Sequence, residues 1–332
     1  MSAPITPVPA GVRVRVPAKI NLALCVGPPR PDGFHPLATV YQAVSLFDEI
    51  QAVWDEPGVF TAPASGEGAS RVPCDERHLA LRAARLLAAK HGDGQPLGVA
   101  LSIQKSIPVA GGLAGGSSNG AAALLACADL WALDVSLEQM LALAAELGSD
   151  VPFALLGGTA LGGGRGEQVV PALARGSYHW VLGFGWTGLS TPAVYRTYDE
   201  LRPDATKPQV PAELMAALRA GDAGRLAKAL VNDLQEPAFH LQPQLRRTLE
   251  TGLDYGALGG IVSGSGPTCA FLVASEAAAI DLCVALTAEQ QAREAGGGGR
   301  HRPGWGAHRR WRGPYRPASR RTRAGGTAAR LS

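Results

Sequence analysis

Residues 108–120 read PVAGGLAGGSSNG, with five glycines and two adjacent serines directly before an alanine- and leucine-rich run. Glycine beside a helix costs roughly 0.5–1 kcal/mol relative to alanine, so so many of them need a compensating interaction. The stretch LGVALSIQKSIP (97–108) ahead of the loop alternates like a strand, and SNGAAALLACADLWALD (118–134) behind it reads as a helix. A strand, a glycine loop and a helix together make an anion site, where free N–H groups meet the positive end of the helix dipole. The loop is not a Walker A sequence. Gly111 and Gly116 have the right separation, but Ser117 stands where lysine should follow. No G-x-G-x-x-G can be placed here either. Ser117 and Ser118 add hydroxyls to a ligand or cap the helix, and a flexible serine-capped turn is the plainer alternative.

Other segments read as follows. VRVRVPAKINLALCV (12–26) is one or two strands, RPDGFHP (30–36) is a turn, and LATVYQAVSLFDEIQAVW (37–54) is strand-like. Residues 55–74 read as a loop, and DERHLALRAARLLAAKHG (75–92) as an amphipathic helix that Gly92 ends. SLEQMLALAAELG (136–148) is a helix with Ser136 as N-cap and Gly148 as its stop. Residues 149–169 supply a short helix and a glycine-rich return strand. After about 170 strands at 178–185 and 259–274 enclose helical segments, which suggests a second α+β domain.

Three further stretches each admit two readings. Lys19 lies in an otherwise apolar strand, as a solvated edge residue or as an inward ammonium that meets a phosphate or a carboxylate. Asp150 precedes Val151 and Pro152, as an N-cap or as a carboxylate that accepts a hydroxyl proton. Ser263-Gly264-Ser265-Gly266 lies between apolar strands, as a hairpin turn or as backbone that approaches a ligand.

Hydrophobic residues at 46% and charged residues at 18% exclude a disordered whole. The five cysteines form no C-x-x-C pair and read as buried free thiols of a reducing cytosol. Apolar stretches are broken well before the ~20 residues of a membrane span, so a cytoplasmic protein is expected. The net charge of +3 hides an asymmetry. Residues 288–332 carry eleven arginines against Glu289 and Glu294, leaving a mildly acidic body.

PAKINLAL, PVAGGLAGGSSNGAAALL and SGSGPTCAFL occur in this order and closely resemble the three signatures of the GHMP kinases. The resemblance covers roughly residues 12–287. It implies an α+β, two-domain fold: an N-terminal mixed sheet with helices (1–168) and a smaller ferredoxin-like C-terminal domain (169–287). PAKINLALCVGPPRPDGFHPLATVYQAV and GSDVPFALLGGTALGGGRGE narrow it to the branch that phosphorylates a cytidyl diphosphate alcohol in the non-mevalonate isoprenoid route. The implied reaction is direct in-line transfer from ATP, with Mg2+, to a small-molecule cytidyl diphosphate substrate.

By the same resemblance, Asp150 matches the catalytic aspartate, which orients or deprotonates the attacking hydroxyl. Lys19 matches the catalytic lysine, which keeps Asp150 ionised. Pro108, Val109, Ala110, Gly111, Gly112, Leu113, Ala114, Gly115, Gly116, Ser117 and Ser118 cradle the ATP phosphates. Lys105 matches a nucleotide-side lysine, and Ser118 is the hydroxyl assigned to magnesium. On the substrate side stand Asn21, His35 at the cytosine edge, and the rings of Phe34 and Tyr195 about the base. Stacking on an aromatic is worth ~1–3 kcal/mol per base, so Phe34 serves where tyrosine is common.

Two departures stand out. His78 replaces the asparagine that usually opens its helix, which puts an adenine-side contact in question. The chain also shows no clear last helix or closing strand beyond 288. That tail admits three readings: a nucleic-acid-binding extension, a solvated disordered extension, or translation out of frame. The last predicts a missing edge strand.

Overall fold

A computed structural model of the chain describes residues 11–185, 188–295 and 305–309. The apolar run at 12–26 forms one long strand, β1 (Val12–Val26), paired antiparallel with β2 (Leu37–Trp54). The glycine- and proline-rich segment that follows holds two short strands, β3 (Phe60–Thr61) and β4 (Ala64–Gly66), where a loop is expected. Both pair parallel with β5 (Val99–Lys105), so backbone bonds rather than a side-chain pattern define them. Helix α1 (Leu79–His91) precedes β5, and α2 (Gly115–Leu130), α3 (Leu137–Leu147) and α4 (Val151–Leu156) follow it. Ser136 and Gln139 cap α3 reciprocally, and Gly148 ends it.

The first sheet has the order β3-β5-β2-β1-β9. Strands β6 (Thr159–Gly163) and β7 (Gln168–Pro171) are added through β2. Helices α1 to α4 cover one face of this sheet. Val14, Ile50, Val99 and Leu101 meet Leu87, Leu124, Met140 and Leu143 there. Burial of each such large side chain stabilises by roughly 1.5–3 kcal/mol. Helix α2 is buried on almost every side by small residues, so it packs close against β1.

The second half contains β8 (His179–Gly183), α5 (Thr191–Leu201), α6 (Ala212–Ala220), α7 (Ala223–Ala229) and β9 (Val231–Asn232). It continues with α8 (Gln235–Leu241), α9 (Gln244–Asp254), β10 (Gly259–Val262), β11 (Cys269–Val273), α10 (Glu276–Ala295) and β12 (Trp305–Arg309). Strands β10-β11-β8-β12 form an antiparallel four-stranded sheet. Counted along the chain, the order is second-third-first-fourth, which is the ferredoxin-like arrangement expected. Strand β7 spans the expected boundary at 168/169 and stays with the first sheet. Strand β9 returns from the second half to pair with β1. The two sheets share a core in which Ile20, Leu22 and Val44 meet Trp180, Leu182 and Ile261. The Trp180 indole N–H donates to Gln42 Oε1 at 2.9 Å across that junction.

The tail departs from its expectation. Helix α10 runs on to Ala295, and β12 covers the edge of β8 from Trp305 opposite Gly183 to Arg309 opposite His179. The closing helix and strand are therefore both present. A short edge strand is held by ladder hydrogen bonds, and WGAHR lacks the apolar alternation that announces a strand. The other tail residues, and with them the nucleic-acid reading, lie outside the described residues.

The glycine loop meets the second half at one point. Gly112 has φ +76°, and a Cβ there would lie 2.3 Å from the Ser263 carbonyl oxygen. The Ser263 hydroxyl donates to the Gly112 carbonyl at 3.1 Å. Gly112→Ala therefore meets both a backbone clash and an unfavourable φ. We expect a loss of about 2 kcal/mol or more in a urea unfolding curve, together with a raised KM for nucleotide. An unchanged unfolding midpoint would show that the two halves do not depend on this approach.

Candidate active site

A cavity of about 560 Å³ opens where the glycine loop, β1 and α5 converge. One side of it is largely backbone. Pro108, Ala110, Gly111, Gly112, Ala114, Gly115, Gly116 and Ser117 line it. Ala110 and Ala114 hold φ +59° and +58°, a conformation that costs a non-glycine residue about 1 kcal/mol or more. Ala114 is the N-cap of α2 and makes no side-chain cap. The first-turn N–H groups of Gly115, Gly116 and Ser117 have no carbonyl of their own helix to bond. They and the helix dipole favour an anion.

At the centre stands Lys19. It is buried on β1, an inner strand, so the solvated-edge reading does not hold. Its ammonium donates to Asn21 Oδ1 at 2.7 Å and lies 3.6 Å from Asp150 Oδ2. Asn21 in turn donates to Thr39 Oγ1 at 2.8 Å, and Thr39 donates to the Ala23 carbonyl at 2.7 Å. This chain fixes the amide orientation. Asp150 occupies the N-cap position of α4, yet its side chain makes no cap hydrogen bond. It faces the cavity instead.

Two phenols lie near that carboxylate. Burial pushes the Tyr41 phenol well above its ordinary range, and the charge of Asp150 and a hydrogen bond to it add to the shift. Burial, then the Asp150 charge, pushes the Tyr195 phenol up in the same way. Both stay protonated at neutral pH, so the carboxylate rather than a phenolate is the base available there.

The far end is aromatic. Phe34, His35 and Tyr195 line it. The rings of His35 and Tyr195 lie 5.0 Å apart, and the Arg165 guanidinium stands 4.8 Å from the Phe34 centroid. Gly264 and Ser265 close the cavity from the turn between β10 and β11. That segment is thus both a hairpin turn and part of the cavity wall.

The N-terminal domain model of the GHMP kinases matches residues 78–158, and the C-terminal model matches residues 214–292. A 4-diphosphocytidyl-2-C-methyl-D-erythritol kinase of Mycolicibacterium smegmatis is 53% identical over 280 residues, 83% of this chain and 86% of its own. One from Thermobifida fusca is 52% identical over 286 residues, 84% of this chain and 92% of its own. The chain belongs to the 4-diphosphocytidyl-2-C-methyl-D-erythritol kinases. A solved 4-(cytidine 5'-diphospho)-2C-methyl-D-erythritol kinase superposes with a TM-score of 0.70 at 34% identity, covering 90% of this chain and 98% of its own. A mevalonate kinase of L. major in complex with R-mevalonate has the same TM-score at 17% identity, covering 93% and 99%, and shares the fold.

As a member of these kinases, the chain brings most of the expected residues together, but four do not reach the cavity. Val109 and Leu113 do not line it, and Leu113 is buried in the core between the sheets. Ser118 is turned inward, its buried hydroxyl donating to the Pro17 carbonyl at 2.9 Å. The hydroxyl expected at magnesium thus meets a backbone carbonyl in this structure, because α2 begins at Gly115 rather than at 118. That places Ser118 on the helix's inner face and leaves Ser117 toward the cavity.

Lys105, expected on the nucleotide side, meets a carboxylate here. It is buried in an ion pair with Asp48 and donates to Asn119 Oδ1 at 3.1 Å. Asp48 also accepts the N–H groups of Ser106 and Ile107, both at 2.8 Å, and the Asn119 amide at 2.8 Å. Lys105 and Asp48 secure the entry to the glycine loop from below.

His78 caps α1 through Nδ1, which accepts from Leu81 N at 3.5 Å, while its neighbour Leu79 lines the cavity.

Sequence reasoning missed Thr39, Tyr41, Arg165 and the Asp48–Asn119 pair. Tyr41 had a signal that needs register to read. It sits directly opposite Asn21 in the β1–β2 ladder, so the two share a face.

Proposed function

We propose that this kinase transfers the γ-phosphoryl group of ATP to the 2-hydroxyl of 4-diphosphocytidyl-2-C-methyl-D-erythritol. The observation that carries the reading is the place of Lys19, Asn21 and Asp150, between a backbone-lined anion cradle and an aromatic base site in one cavity. Asp150 accepts the hydroxyl proton or orients it, and Asn21 holds the Lys19 ammonium beside that carboxylate. Lys19 then offsets charge that builds on the transferring phosphoryl. The α2 N-terminus binds the polyphosphate. The bond to the γ-phosphorus forms from the substrate oxygen as the bond to the β-phosphate bridge oxygen breaks, and ADP leaves. Positioning and electrostatics provide most of the acceleration.

Among the described residues no three carboxylate, histidine or thiol groups gather to hold a metal. Magnesium of the kind that rides on nucleotide phosphates fits this donor set, with the Ser117 hydroxyl at hand. It would neutralise phosphate charge. No described helix is long and apolar enough to cross a membrane. All five cysteines are free thiols, which supports a reducing cytoplasmic setting.

A coupled ADP-release assay with the purified chain tests this reading. Turnover is expected with the diphosphocytidyl alcohol and none above background with mevalonate or homoserine. Turnover of either of those instead would assign the site to another small alcohol.

A further inference from the structure

His35 has one committed nitrogen and one open to choice. Its Nδ1 lies 2.9 Å from the Gly27 carbonyl, which only accepts, so Nδ1 carries the hydrogen. Its Nε2 lies 3.6 Å from Asp199 Oδ1. That carboxylate oxygen is buried and has no hydrogen-bond partner of its own. A buried acceptor without a donor carries a desolvation cost of about 1–3 kcal/mol. The nitrogen beside it is the natural donor once it holds a proton.

The position of Asp199 gives the contact a consequence. It lies one helical turn beyond Tyr195 on α5, so the two share a face. His35 packs on that face, 5.0 Å from the Tyr195 ring and edge-on to Tyr198 at 6.1 Å. The Tyr198 hydroxyl donates to the Val26 carbonyl at 2.5 Å, at the start of the turn that carries Phe34 and His35. The base of that turn is closed by Gly27 N donating to the Pro36 carbonyl at 2.8 Å. Besides these ring contacts, two polar contacts join helix and turn among the described residues, and the one at Asp199 is made to the His35 ring nitrogen itself.

We propose that Asp199 is a positioning residue of the cytidyl half of the site. With Nδ1 already committed, it holds Nε2 of His35 when that nitrogen also carries a hydrogen, so that the 27–36 turn and α5 present Phe34 and Tyr195 to the base at a fixed separation. This rests on the cytidyl reading above. Asp199 does not itself line the cavity, so it acts through His35.

The test uses the full chain, cytidine monophosphate as the probe in calorimetry, and steady-state KM values for both substrates. Asp199→Ala is expected to weaken cytidine monophosphate binding, and to raise KM for the cytidyl alcohol, by about tenfold. KM for ATP stays unchanged, and kcat falls by less than about threefold. Asp199→Asn recovers most of the loss, because its amide offers a donor or an acceptor to either form of Nε2. Asp199→Gln, which carries its head group one methylene too far, behaves as the alanine variant does and replaces it if that variant is poorly folded.

Equal binding of the probe by wild type, Asp199→Ala and Asp199→Gln overturns the proposal and leaves the cytidyl reading intact. A parallel loss of ATP and cytidine monophosphate binding also overturns it, as a general loosening. Wild type that neither binds the probe nor turns over the cytidyl alcohol overturns both.

Discussion

Asp150→Asn is expected to lower kcat by about 10²–10⁴-fold, the usual worth of a positioned proton acceptor. The asparagine keeps the shape of the side chain, and Asp150 makes no cap bond to α4 that the change could break. Folding and the binding of ATP and cytidine monophosphate should therefore survive within about twofold. What disappears is the acceptor for the hydroxyl proton and the negative partner 3.6 Å from Lys19. The measurement is ADP release under saturating substrates, beside calorimetry for each ligand. A fall of less than tenfold would reduce Asp150 to an orienting group. In that case positioning and the remaining positive charge suffice for transfer to a hydroxyl that loses its proton late.

Lys105→Ala is expected to have the largest effect on stability. It leaves the Asp48 carboxylate buried without its ammonium partner, a change that costs about 3–5 kcal/mol in such pairs. The two backbone N–H groups and the Asn119 amide still reach Asp48, which keeps the loss from being larger. Urea unfolding of Lys105→Met and Asp48→Asn, singly and combined, beside Lys105→Ala reads the coupling directly. The double variant should recover a good part of the loss, since no buried charge remains unpaired. If Lys105→Ala instead keeps its unfolding midpoint and loses affinity for ATP, Lys105 faces the nucleotide after all. The glycine loop would then need another support beneath it.

The two cases differ in how far they could be read from the chain. Asp150 is followed by Val151 and Pro152, and Lys19 lies in an apolar strand. Lys19 is a local anomaly, a charge where the pattern asks for none, whereas Asp150 fits the local pattern as a helix start. Lys105 is the same kind of anomaly as Lys19, yet its explanation lies 57 residues away in Asp48. Nothing local separates a lysine that meets a ligand from one that meets a buried carboxylate. Ser118 takes its inward position for a smaller reason. Glycines at 115 and 116 hide the helix start, because the residues that expose bare N–H groups to an anion are the ones that argue against a helix. Moving the start by three residues rotates each serine to a different face.

Taken alone, the chain determined most of its longer strands and helices and the glycine loop, which residue type and short-range period encode within a few residues. The roles of Lys19 and Asp150 and the aromatic base site came from the resemblance of whole motifs to the GHMP kinases, since each residue by itself admitted a plainer reading. Only the tertiary structure decided which polar groups meet. It paired Lys105 with Asp48, set Tyr41 across from Asn21, brought Asp199 to His35, returned β9 to the first sheet and laid β12 along β8. Those outcomes depend on strand register and on contacts far apart along the chain. Their free energy comes from burial and backbone ladders that no local pattern displays.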